Sequence, residues 1–68
     1  MLTKEERDKL LVSMVRNVDT IRAAAGWLSI HTQREYEAKD EMSDADLIRA
    51  AAEFADLADT LTRLARGG

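Results

Sequence analysis

The chain has no cysteine and no proline, and its few glycines are Gly26, Gly67 and Gly68. Disulfide-stapled miniproteins and thiolate zinc domains both require cysteine, so the sequence excludes these two classes. β-Sandwiches and β-barrels depend on turns rich in glycine and proline, and this chain has very few such residues. These absences favour an all-α protein.

The chain also lacks a long apolar run. No segment approaches the ~20 consecutive apolar residues of a membrane-spanning helix, and the opening MLTKEERDKL is too charged for a signal peptide. We therefore expect a cytoplasmic protein that does not contact membranes. With 68 residues, of which 46% are hydrophobic and 34% charged, the chain is expected to form one helical domain over 1–68.

A first helix is predicted over residues 4–38. Thr3 and Glu6 have the spacing of a capping box, in which each side chain binds the backbone of the other residue. Apolar residues then recur in alternating steps of three and four, which is typical of a heptad repeat on one helical face. This first seam consists of Leu11, Met14, Val18, Ile21, Ala25 and Leu28.

A second helix is predicted over 44–66, after a turn at 39–43. Ser43 has the position of a capping residue, and acidic residues follow it in the first turn. The second seam consists of Leu47, Ala50, Phe54, Leu57, Leu61 and Leu64. Because the connection is short, we expect an antiparallel helical hairpin in which Val18 lies against Leu64 and Leu28 against Phe54.

The two predicted helices differ in length, so the start of the first helix would leave apolar residues uncovered. A second copy of the hairpin would cover them and give a homodimeric four-helix bundle. The expected dimer interface consists of Leu10, Leu11, Met14, Val15 and Val18. Alternatively, the first helix breaks near Gly26, where Thr32 and Glu35 offer another capping box, and the chain forms a three-helix bundle.

The sequence offers little for catalysis. His31 is the sole histidine and is expected to pair with Glu35, because a metal site would need further ligands. Acidic residues cluster around the turn, at Glu35, Glu37, Asp40, Glu41, Asp44 and Asp46, without the spacing of a calcium loop. The serines lack a nucleophile motif, and no phosphate-binding glycine loop is present. We expect a non-enzymatic protein without metal, cofactor or small-molecule substrate.

Apolar residues off the first seam point to a binding role. Trp27 and Ile30 fall on the face turned away from the second helix, and tryptophan is enriched at interface hot spots. We expect these two residues, with Tyr36 and with Arg22 or Arg34 at the rim, to dock another protein. If the helix instead breaks at Gly26, Trp27 and Ile30 are expected to turn into the core.

These observations favour a small homodimeric protein-binding regulator, adaptor or inhibitor of the kind that phages and mobile elements encode. The hairpin plan and the opening segment LTKEERDKL resemble the Rop family of plasmid regulators, in which a hairpin dimer binds paired RNA loops. This resemblance covers residues 2–10 and the architecture, and it implies a second hypothesis, RNA or DNA binding. Nucleic acid is the less favoured partner, because the formal charge is −3 and the basic residues are scattered around the first helix. A third hypothesis is a structural assembly subunit.

Overall fold

The computed structural model describes residues 1–67, and within them the fold is all-α, as the sequence predicts. It consists of α1 (Lys4–Ala24), α2 (Gly26–Glu37), a single 3₁₀ turn (Lys39–Glu41) and α3 (Asp44–Ala65). α1 begins with the predicted capping box: the Glu6 backbone N–H donates to the Thr3 hydroxyl, and the Thr3 N–H donates to the Glu6 carboxylate. α3 begins at the predicted cap, where the Ser43 hydroxyl accepts from the Asp46 N–H.

The prediction of one continuous helix over 4–38 is wrong. Ala25 leaves the helical conformation, with φ −153° and ψ 78°, and forms a one-residue joint between α1 and α2. The Ala25 N–H donates the last hydrogen bond of α1, to the Ile21 carbonyl at 2.7 Å. The Ala25 carbonyl accepts from the Leu28 N–H of α2 at 2.9 Å. The alternative that placed a break near Gly26 is therefore the better description. The capping box expected at Thr32 does not form, because α2 starts at Gly26 without a side-chain cap.

The break changes the topology of the chain. Asp44, at the start of α3, lies against Arg7 near the start of α1. At the other end, Thr62 and Ala65 of α3 share a surface hollow with Thr20 and Ala24 of α1. α3 consequently runs parallel to α1. α2, which connects them, runs antiparallel to both. The predicted antiparallel hairpin, with Val18 against Leu64, is wrong. The break at Ala25 adds a second reversal of the chain, so that α3 runs parallel to α1 instead of antiparallel to it.

The core lies between α1 and α3, and α2 packs mainly against α1. The main buried cluster consists of Met14, Val18, Leu47, Ala50, Ala51 and Phe54. Ile21 and Ala58 are buried as well. The core positions of Met14, Val18, Ile21 and Phe54 are thus as predicted from the seams.

The second seam fails toward the end of α3. Leu57 and Leu61 are only half-buried and Leu64 is 67% exposed, whereas Ala58 is buried. A straight α-helix drifts by ~20° per heptad against a strict seven-residue repeat, so a heptad line read from the sequence gradually leaves the buried face.

The residues expected at a dimer interface have contacts within one chain. Met14 and Val18 are buried in the α1–α3 core, and Leu10 and Leu11 pack against it. Val15 alone among them is exposed, at 39%. The apolar start of α1 therefore needs no second copy to cover it, because the parallel course of α3 does so. Within residues 1–67, no helix is long and apolar enough to cross a membrane.

Candidate functional site

α2 has an inverted distribution of apolar and polar residues. Its two buried residues are Ser29 and Thr32, with 9% and 6% exposure. Trp27 and Ile30 are 72% and 57% exposed, whereas Leu28 and Tyr36 are half-buried. An amphipathic helix ordinarily buries its apolar side chains, so this arrangement leaves an apolar surface in water without an internal reason.

The buried hydroxyls are satisfied inside α2 itself. The Ser29 hydroxyl donates to the Gly26 carbonyl at 2.6 Å, and the Thr32 hydroxyl donates to the Ser29 carbonyl at 3.1 Å. Because a buried hydroxyl is tolerated when it is hydrogen-bonded, the inward side of α2 is stable although it contributes little apolar area. The small size of these two side chains suits a close approach between helices.

We define the outer face of α2 as Trp27, Ile30, His31 and Arg34, all of which are exposed. At 100° per residue these four side chains lie within about a third of the helix circumference, opposite Ser29 and Thr32. The sequence placed Trp27 and Ile30 on a face turned away from the second helix, and in the structure both side chains are exposed. The structure does not follow the alternative in which a break at Gly26 turns both inward.

The charged residues beside the outer face are Arg34 and, at the end of α2, the exposed Glu35 and Glu37. No acidic residue occurs between Asp19 and Glu35, whereas this stretch contains Arg22 and Arg34. Arg34 is exposed. Arg22 lies at the α1–α2 boundary, where it pairs with Asp19 at 3.9 Å and donates to the Gln33 side-chain oxygen at 3.2 Å. The predicted rim arginines are therefore both close to α2, with Arg34 the less neutralised of the two.

Tyr36 does not join the outer face. It is half-buried and packs against the core cluster, on the inward side of α2 that also carries Ser29 and Thr32. The Lys39 ammonium lies 4.4 Å from the centroid of its ring, in the arrangement of a cation–π contact. Of the five residues expected to bind a partner, Trp27, Ile30 and Arg34 share the outer face, whereas Arg22 and Tyr36 line a separate hollow between α1 and α2.

Sequence reasoning missed Arg7, which organises the opposite end of the molecule. Its guanidinium pairs with Asp44 at 3.2 Å and donates to the Lys39 carbonyl at 2.9 Å. Asp44 in turn accepts from the Leu2 N–H at 2.9 Å. We call Arg7 and Asp44 the basal clasp. From the sequence alone, Arg7 could pair with any of several acidic residues. Its pairing with Asp44 could not be predicted, because it depends on the parallel course of α3 beside α1.

The remaining surface carries charged residues mainly along α1, where a hollow of about 750 Å³ is lined by Lys4, Glu5, Asp8, Lys9, Val12, Ser13, Arg16 and Asn17. Among residues 1–67, no three His, Asp or Glu side chains converge as metal ligands would. A groove of about 400 Å³ lies between α1 and the end of α2, and it is open to solvent. Its lining is mainly apolar, from Leu11, Val12, Val15 and Tyr36, with Asp8 and Arg16 at the edges. The groove contains no serine, threonine or histidine that would act as a nucleophile or base.

The outer face of α2 is therefore the surface that the internal packing of the chain explains least. Comparison with protein-family profiles, with curated proteins and with solved structures found no match to this chain.

Proposed function

We propose that this chain is a non-enzymatic protein-binding regulator or adaptor that docks its partner on the outer face of α2. The observation that carries the proposal is the inversion of α2, which buries Ser29 and Thr32 while Trp27 and Ile30 stand in water. Exposed tryptophan with a neighbouring aliphatic residue is the composition of an interface centre.

The residues of the outer face indicate the chemistry of the partner. Arg34 and His31 lie beside the two apolar residues, and acids are absent from the first nine residues of α2. The partner that fits is an amphipathic protein segment whose apolar residues meet Trp27 and Ile30 and whose acidic residues meet Arg34. Rim charges of this kind mainly govern the rate and selectivity of association, and the central apolar contacts supply most of the affinity.

The test compares two exposed apolar residues on different helices. Trp27→Ala should weaken capture of the partner from a host-cell extract at least about thirtyfold, the usual loss at an interface hot spot. Val12→Ala is the matched control, because Val12 is 52% exposed on α1, away from the outer face. It should leave capture unchanged, and both variants should keep the helical circular dichroism of the parent.

Photo-crosslinking provides the spatial readout. A photoreactive residue at His31 should crosslink the partner, and the same residue at Ser13 on α1 should not. Equal capture by Trp27→Ala and Val12→Ala, or crosslinking from Ser13 alone, would place the docking surface elsewhere. Binding that falls steeply as salt rises would contradict the proposal in another way, since such dependence indicates nucleic-acid phosphate contacts.

A further inference from the structure

The joint between α1 and α2 has only a weak local cause, the low helix propensity of Gly26, about 1 kcal/mol below that of alanine. It consists of Ala25 alone, at the end of the run Ala23-Ala24-Ala25, and alanine is the strongest helix former. Gly26 is the first residue of α2, where its missing side chain serves no packing need: a Cβ built there meets nothing within 4 Å. The break is therefore a property of how the chain folds back, and the local sequence remains compatible with a straight helix.

The buried faces of α1 and α2 also stay in phase across the joint. The inward residues of both helices recur in steps of three and four without interruption, and they are Met14, Val18, Ile21, Ala25, Leu28, Thr32 and Tyr36. Two helices that fold independently have no need for such a common phase. If Ala25 became helical, residues 4–37 would form one helix with a single continuous inward face, opposite to Trp27 and Ile30.

From these two observations we infer that two copies of the chain exchange their α2–α3 segments by straightening at Ala25. In the exchanged dimer, α1 of one copy packs against α2 and α3 of the other. Each contact that α1 makes in the single chain is kept, including the basal clasp, but is now made between copies. Each chain becomes a hairpin of one long helix and α3, and two such hairpins form a four-helix bundle.

The closed chain and the exchanged dimer contain nearly the same interfaces, so the exchange costs little interaction energy. Because the same interfaces occur in both forms, the equilibrium depends only on the conformation of the joint and on chain concentration. Short connections favour exchange, since they hold a closed chain with little freedom, and a one-residue joint is the extreme case. The exchange does not depend on the proposed docking role. The outer face of α2 is available for docking in both forms.

Two substitutions at Gly26 test the inference in opposite directions. Gly26→Ala has room in the closed chain and favours a straight helix in both chains of the dimer, so it should lower the dimer dissociation constant about tenfold. Gly26→Pro suits the first position of α2 and follows a residue already outside the helical conformation. Inside a straight helix it loses a hydrogen bond and clashes, so it should raise the dissociation constant at least about a thousandfold.

Sedimentation equilibrium of the parent and both variants gives the masses, and an isotope-filtered NOE experiment identifies the exchange. In a mixture of labelled and unlabelled Gly26→Ala chains, contacts between Met14 and the Phe54 ring should arise between different chains. In Gly26→Pro they should arise within one chain. If Gly26→Pro does not fold, a variant with two glycines inserted after Ala25 takes its place and should likewise be monomeric.

Two results would overturn the inference. One is an equal dissociation constant for the two Gly26 variants, and the other is a dimer whose Met14–Phe54 contacts arise within single chains. Neither affects the docking assay, because that assay reads capture through Trp27 rather than mass. If the exchange is absent but capture still depends on Trp27, the proposed function stands. If the exchange occurs but capture does not depend on Trp27, only the docking surface is refuted.

Discussion

The α1–α3 pair and α2 are built from the same kinds of residue, yet they are stabilised by different means. α1 and α3 each start with a capping side chain, and they bury large apolar residues such as Met14, Leu47 and Phe54 against each other. The basal clasp joins their first turns. α2 has no capping side chain; its fully buried residues are Ser29 and Thr32, and its inward apolar residues Leu28 and Tyr36 are only half-buried. Hydrophobic burial thus determines the position of α3 on α1, and little of it holds α2.

This contrast indicates how stability and function are divided along the chain. A helix that is held weakly and exposes Trp27 is suited to exchange or binding, because a partner adds the burial that the chain itself does not supply. The apolar α1–α3 pair is suited to keeping the molecule folded meanwhile.

Phe54→Ala should destabilise the protein most. Phe54 is 2% exposed in the α1–α3 core, and removal of a buried phenylalanine costs about 3–5 kcal/mol. In a chain of this size the loss should abolish cooperative unfolding at 25 °C, as measured by urea denaturation followed by circular dichroism. Ile30→Ala is the control from the exposed face of α2, and it should change the free energy of unfolding by less than about 0.5 kcal/mol. Similar losses for both variants would contradict the division.

A pair of isosteric substitutions compares the two interfaces directly. Val18→Thr places a hydroxyl in the α1–α3 core and should cost about 1–3 kcal/mol of unfolding free energy. Thr32→Val removes the buried hydroxyl of α2, which bonds only to the Ser29 carbonyl of its own helix. It should change stability by less than about 0.5 kcal/mol, since that carbonyl also belongs to the helical backbone ladder. A large loss for Thr32→Val would show that α2 is held by more than its small residues.

Local patterns in the sequence predicted much of the α1–α3 pair. The caps at Thr3 and Ser43 depend on residues within one helical turn, and the periodicity placed Met14, Val18 and Phe54 in the core. The joint at Ala25 was not predicted as the leading alternative, because alanine favours helix and the heptad seam runs through it. The parallel course of α3 follows from that joint, so it and the basal clasp were missed together.

The burial of α2 escaped prediction for a different reason. Sequence reasoning gives inward positions to large apolar residues, and here tertiary packing gives them to Ser29 and Thr32. Exposure of Trp27 and Ile30 was nevertheless expected from their place off the seam. Tyr36 was expected to dock a partner, but it lies half-buried on the inward side, in phase with Met14 and Val18.

Arg7→Ala should show how far the basal clasp stabilises the α1–α3 pair. The Arg7 and Asp44 side chains are only 27% and 30% exposed, and the guanidinium also binds the Lys39 carbonyl. Loss of these charge-assisted bonds should reduce the free energy of unfolding by about 1–2 kcal/mol in chemical denaturation. Arg16→Ala is the matched control, because Arg16 is exposed on α1 and forms no ion pair within residues 1–67. Equal effects would assign the loss to helix propensity instead of the clasp.

The smallest expected effect concerns the cap of α1, which has no counterpart in α2. Hydrogen bonds from the Thr3 backbone N–H and then the Thr3 side chain hold the pKa of the Glu6 carboxyl below its ordinary value of 4.5. A carboxyl whose pKa is lower in the folded state stabilises that state at pH above 4.5, and the contribution is lost as the pH falls through the folded value. Glu6→Gln keeps an acceptor at this position but does not titrate. The melting temperature of the parent should therefore exceed that of Glu6→Gln slightly at pH 6, and the difference should shrink at pH 3. A difference that stays constant between these two pH values would mean that the Glu6 charge contributes nothing to the cap, and that α1 is held in place by its apolar face alone.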